Sequence, residues 1–228
     1  YTFHYLKDSK SKQKITNDIL AKGFLELKKV WDSLQNMSNM RTFLLSFFLY
    51  SVGVQTVILL APTFAKEVVT DMGATDIMIL VIIIQIVALP GAYLAAFVSE
   101  KKGNKYAIIS LLVVWLAICV IAYFVQGKMN FYILGTGIGV VIGGIQSLSR
   151  STYSKLIPQE STDTASFFSF FDVTEKLSIV LGTFLMSFVG DITGSMRNGV
   201  LSMTIFFIIG IIIFSKMKGS NNLASTEE

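Results

Sequence analysis

Residues 164–190 read TASFFSFFDVTEKLSIVLGTFLMSFVG. The stretch is apolar over a length that can cross a hydrocarbon core of about 30 Å, for which roughly 20 helical residues suffice. Yet Asp172, Glu175 and Lys176 stand in its middle. Charge at that depth costs several kcal/mol unless a partner or water satisfies it, so intramembrane ionisable residues face a cavity or pair with each other. Spacings of three and four put all three on one face of a helix. Two readings fit. One is a cavity-lining site near the midplane, where transporters place substrate and coupling ions. The other is a structural ion pair between Asp172 and Lys176.

Working outward, charge-free or nearly charge-free runs recur along the chain, and they predict membrane spans at 42–65, 77–99, 106–127, 129–150, 164–190 and 198–215. Composition agrees: 53% of the 228 residues are hydrophobic and only 15% are charged, with a mean hydropathy of +0.63. The expected fold class is therefore all-α, an integral membrane six-helix bundle over 41–216. A polar lead-in at 1–40 precedes it and a polar tail at 217–228 follows. Of the 19 Lys and Arg, only Lys66, Lys128 and Arg197 fall on one side of the spans, and Lys176 lies inside one. The rest lie on the other side, which predicts that both termini are cytoplasmic. The net charge of +4 thus reads as topology and not as nucleic-acid binding. In the lead-in, Ile15, Ile19, Leu27, Val30, Trp31 and Leu34 recur at helical spacing between Lys22, Lys28, Lys29 and Asp32. The pattern predicts a surface helix over 15–37, either on the membrane interface or, the preferred reading, docked on the bundle.

Other residues qualify as functional by type and depth. Gln55 and Gln85 fall near the middle of their spans, with Tyr50 a turn and a half before Gln55. A buried amide needs partners that a solute, a wet cavity or a neighbouring helix can supply. Gly135, Gly139 and Gly143 stack on one helix face and predict close helix contact. Pro90 beside Gly91 predicts a bend. The short cytoplasmic loop Glu100, Lys101, Lys102, Gly103, Asn104, Lys105 allows a turn whose carboxylate caps or pairs with a neighbouring helix end. Ser161 and Asp163 are candidate N-caps for the charged helix. Cys119 is the single cysteine and His4 the single histidine, so no disulfide, metal site or cofactor is expected. The chain starts at Tyr1 and not at Met, and the expectation is a fragment of a longer product.

The loop at 100–105 resembles the acidic, basic, glycine, basic motif of the major facilitator superfamily, with Glu100 where Asp is usual and Ala96 where Gly is usual. The stretches SFFLYSVGVQT (46–56), GGIQSLSRSTYSKLIP (143–158) and SFFSFFDVTEKLSIVLG (166–182) resemble more specifically the branch of vacuolar amino-acid effluxers linked to autophagy and its bacterial relatives. The resemblance covers nearly the whole chain from the lead-in onward. It implies the C-terminal six helices of a twelve-helix transporter, completed by an N-terminal six-helix half. It further implies a gating role for Gln146 and Arg150, and a match of Lys176 to a basic position in the family's eleventh helix. A bacterial inner membrane is the expected location.

The leading expectation is a secondary active transporter of a small polar solute, amino acids among the candidates, with or without a coupled proton. Its pathway would be lined by Tyr50, Gln55, Gln85, Asp172, Glu175 and Lys176, and its gate would involve Glu100, Lys101, Gly103, Lys105, Gln146 and Arg150. The competing class is a non-transporting membrane scaffold on the same bundle. No Ser-His-Asp, His-Glu-x-x-His or cysteine-based constellation is present, so an enzyme is not expected.

Overall fold

The computed structural model describes residues 17–69, 72–158 and 164–217. Among them the chain forms seven helices and no strand: α1 (Asn17–Leu34), α2 (Ser38–Val68), α3 (Ala74–Lys102), α4 (Asn104–Phe124), α5 (Lys128–Leu156), α6 (Thr164–Thr193) and α7 (Met196–Ser215). The last six are long and apolar enough to cross a membrane. The bundle is all-α, as the hydropathy pattern requires when no water is present to satisfy an open backbone. Most helices run past the uncharged stretches at their ends, because Lys and Glu side chains at a helix terminus reach the interface. The third span is the exception. It stops at Phe124 and not at 127, because Val125 turns extended and Gly127 adopts φ 77° ahead of α5. The expected caps Ser161 and Asp163, the apolar position Ile15, His4 and the tail beyond 217 lie outside the described residues.

α2 and α5 are the most buried spans, whereas α3 and α6 leave most of their surface exposed. α2 packs chiefly on α7 and α6, α4 on α7 and α5, and α3 on α5. Ser46 of α2 donates to the Gly210 carbonyl of α7 at 2.8 Å, and Trp115 of α4 stacks on Phe207 of α7 with ring centroids 5.8 Å apart. Between α3 and α5 the contact is nearly backbone on backbone. A Cβ on Gly91 would strike the Val140 carbonyl, and one on Gly143 would strike the Ala88 carbonyl. The glycine stripe is therefore the α3–α5 seam, close packing of the kind that lipid solvent favours. Pro90 stands inside α3 without ending it.

α1 docks on the bundle through Val30 and Leu34, both buried. Trp31, expected on the same apolar face, is 60% exposed and touches the bundle only at the edge, its ring 6.2 Å from that of Phe170 on α6. Position 31 lies 100° round the helix from position 30, so only one of the two can point inward.

Candidate functional site

The half of the bundle that holds the helix ends at Ser38, Leu156 and Thr164 contains an open cavity of about 140 Å³ between α2, α5 and α6. Phe47, Val54, Ile145 and Phe171 supply its apolar wall, and Tyr50, Ser51, Gln55, Gln146, Ser149, Arg150 and Glu175 supply its polar groups. Below it, toward the helix ends at Ser38, Leu156 and Thr164, the aromatic rings of Phe43, Phe47, Tyr153, Phe168 and Phe171 pack on one another. Tyr153 donates to the Phe167 carbonyl at 2.7 Å and ties α5 to α6 there.

Tyr50, Gln55, Ser149, Arg150 and Glu175 each have a definite partner. Ser149 donates to the Ile145 carbonyl one turn earlier, at 2.5 Å, as helical serines do. Its single hydrogen is thus committed, so in the 2.7 Å contact between the two hydroxyls Tyr50 is the donor. Gln55 on α2 donates through Nε2 to Glu175 Oε1 on α6 at 2.5 Å. Arg150 donates through a terminal guanidinium nitrogen to Asp172 Oδ1 at 2.9 Å, and its guanidinium also lies 5.4 Å from the centre of the Phe171 ring. Both members of this ion pair are about half exposed, at 53% and 50%.

The structure thus brings Tyr50, Gln55, Gln146, Arg150 and Glu175 to one cavity and sets Asp172 at its edge. It corrects the ion-pair reading of Asp172, whose partner is Arg150 of another helix and not Lys176. Four residues apart on one helix, Asp172 and Lys176 could meet, but the guanidinium reaches across from α5 and takes the carboxylate. Lys176 is exposed and has no partner among the described residues. Gln85 does not line the cavity. It is exposed on α3, because the seam with α5 uses the Ile84, Ala88 and Gly91 face and leaves position 85 turned off it.

The loop at 100–105 works differently from the expectation. Gly103 takes φ 85°, the left-handed turn that joins α3 to α4. The group that caps a neighbouring helix is the Lys105 ammonium and not the Glu100 carboxylate. Lys105 Nζ donates to the carbonyls of Ser215 at 2.7 Å and Met217 at 2.6 Å, at the negative end of the α7 dipole. Glu100 is exposed, and Lys101 lies over the Phe97 ring at 4.1 Å. Sequence reading missed the network beside this turn. Ser99 bonds to Asn104 Oδ1, Asn104 Nδ2 donates to Thr152 at 2.9 Å, and Lys155 reaches Asn104 Oδ1 at 3.4 Å. At the opposite end, Lys128 pairs with Asp76 at 2.7 Å and Tyr132 donates to the same carboxylate at 3.2 Å. Both networks join residues far apart in sequence, for which no local spacing exists. Among the described residues no group of His, Cys, Asp and Glu has the geometry to hold a metal ion.

Comparison with known proteins gives this geometry its context. The family model described as "Vacuole effluxer Atg22 like" matches residues 1–224. An uncharacterized MFS-type transporter of Bacillus subtilis, YxiO, is 28% identical over 197 residues, covering 86% of this chain and 45% of that protein. Autophagy-related protein 22 of Vanderwaltozyma polyspora is 31% identical over 214 residues, covering 84% of this chain and 40% of the relative. The Kluyveromyces lactis protein of the same name is 29% identical over 200 residues, covering 81% and 40%. The chain spans less than half the length of these relatives. Among solved structures, the E. coli fucose:proton symporter FucP superposes with a TM-score of 0.67 at 21% identity, over 82% of this chain and 45% of that one. That similarity establishes the shared fold. With residues 1–224 matched and the six-span bundle in place, the chain belongs to the Atg22-like family and forms one six-helix half of a major facilitator architecture.

Proposed function

We propose that the protein to which this chain belongs is a secondary active transporter that moves a small polar solute by alternating access, with this half forming one wall of the pathway. The observation that carries the reading is the cavity itself. A polar, half-open recess with a guanidinium, a carboxylate, two amides and three hydroxyls lies within an otherwise apolar bundle, where unsolvated polar groups are costly.

A second six-helix half completes the pathway in this reading. Lys176 supports it: an ammonium without a partner among the described residues sits among the exposed Val173, Leu177 and Val180 of α6. Lipid tails would be a costly neighbour for that charge, whereas a facing protein surface or a water-filled pathway would not. Met78, Ile82 and Ile86 of α3 are exposed as well.

Charges of both signs at one cavity, Arg150 with Asp172 and Glu175, suit a zwitterion, and amino acids are the proposed solute class, with a proton as the coupled ion. Both termini of the chain face the cytoplasm, and a bacterial plasma membrane is the proposed location. The test is exchange of labelled amino acids across proteoliposomes containing the full-length protein, with and without an imposed pH gradient. Saturable uptake driven by the gradient and lost in K176A and R150A is the expected result. Absence of saturable exchange for every amino acid would remove the solute class, and normal transport by both variants would remove the site.

A further inference from the structure

Two carboxylates on successive turns of α6 face partners of different kinds. Asp172 meets a guanidinium, which carries only donors and stays charged, so it supports the carboxylate form alone. Glu175 meets the side-chain amide of Gln55, and among the described residues no cation lies within ion-pair distance of it. An amide has two faces. Its NH₂ donates to a carboxylate, as observed at 2.5 Å, and its carbonyl, brought round by rotation of the amide, accepts from the O–H of a carboxylic acid. Gln55 can therefore complete a hydrogen bond to Glu175 in either protonation state.

The surroundings leave that switch free to operate. From α2, the titratable neighbour is Tyr50, whose hydroxyl is occupied by Ser149. From α5 it is Arg150, occupied by Asp172. α7 carries no Asp, Glu, Lys or Arg between Arg197 and Lys216, at its two ends. α1 bears Glu26, Lys28, Lys29 and Asp32, all exposed. On α6 itself stand Asp172 and the exposed Lys176. Glu175 lines the cavity and is only partly buried, so a proton from cavity water can reach its carboxylate oxygen.

We propose that Glu175 is the proton-binding group of the transport cycle and Gln55 its two-state partner. The step is a proton transfer from hydronium in the cavity water to the Glu175 carboxylate oxygen that faces Gln55: one O–H bond of hydronium breaks, leaving water, one O–H bond forms on Glu175, and the neutral acid donates to Gln55 Oε1. This rests on the transporter reading above, and the experiment separates the two.

Infrared difference spectra between acid and alkaline pH are recorded on the full-length protein in liposomes, with no solute present. The C=O stretch that E175Q removes identifies protonated Glu175, and it is expected to shift in frequency in Q55L, where the acceptor is gone. A Glu175 band unmoved by Q55L, or no band lost in E175Q, overturns the proposal. In parallel, an internal pH dye follows proton movement when an amino-acid mixture is added. Movement is expected to fall at least ten-fold in E175Q and to recover in E175D. Proton movement undiminished in E175Q overturns the assignment. If the wild type moves neither solute nor proton, the transporter reading fails, while the infrared comparison still decides whether Gln55 partners the acid form.

Discussion

Replacing Gly139 with alanine tests the α3–α5 seam at a position where the magnitude can be worked from the structure. A Cβ at 139 would stand 2.8 Å from the Ile84 carbonyl oxygen and 3.1 Å from Val87 Cβ, when ordinary contact begins near 3.4 Å. The first neighbour is helix backbone and cannot rotate away, so the helices must part by about 0.6 Å locally. Overpacking of this kind costs about 1–3 kcal/mol. Alanine returns about 0.5–1 kcal/mol through its helix preference over glycine. The net loss is about 0–2.5 kcal/mol, which for a domain of this size lowers the melting midpoint by up to roughly 10 °C. Gly137 is the internal control. It lies on the same helix, and a Cβ there would meet nothing within 4 Å. G137A keeps the propensity gain without the clash and should melt about 1–4 °C higher. Thermal melts of the purified full-length protein in detergent, followed by far-UV circular dichroism, compare wild type, G139A and G137A. A G139A midpoint equal to or above that of G137A would refute the close-packing account.

The hydroxyl pair on the cavity wall makes an asymmetric prediction. S149A leaves the buried Tyr50 hydroxyl without its acceptor, at about 1–3 kcal/mol, whereas Y50F leaves Ser149 still bonded to the Ile145 carbonyl and costs about 0.5–1.5 kcal/mol. A Y50F melting point below that of S149A would reverse the donor assignment. K105A removes both carbonyl contacts at the end of α7, so the amides of Lys216 and Met217 should exchange with deuterium about five-fold faster, as a loss of order 1 kcal/mol implies. Unchanged protection there would mean that the cap contributes nothing. The Arg150–Asp172 pair is half exposed, and such pairs contribute about 0–1 kcal/mol. D172A should therefore leave the melting midpoint within about 4 °C of wild type while transport is lost; a large drop in stability with transport intact would make the pair structural.

The membrane class and the spans were legible in sequence because crossing a bilayer imposes a length and a polarity that a short window shows directly. The glycine stripe was legible for a related reason, since small residues four apart can only serve one helix face. Asp172, Glu175 and Lys176 stood out by cost alone. Their partners did not: the gap from 150 to 172, or from 55 to 175, carries no periodic signal, and which side chain arrives first depends on how α2, α5 and α6 are set around the cavity. Gln85 shows the same limit. Its depth was evident, but the direction in which it points was not.

In a soluble protein the rotation of each helix is written in its amphipathic pattern, polar side out. Here α3 is apolar on every side, since lipid and protein neighbours are equally nonpolar, and sequence alone gives no reason to turn Gln85 toward or away from the cavity. The sequence by itself determined the solvent, the number of crossings and the residues too costly to leave unpartnered. Only tertiary packing, through the backbone seam between α3 and α5 and the set of α6 beside α2, decided which of those residues meet: Glu175 with an amide, Asp172 with a guanidinium, and Lys176 with no group among the described residues.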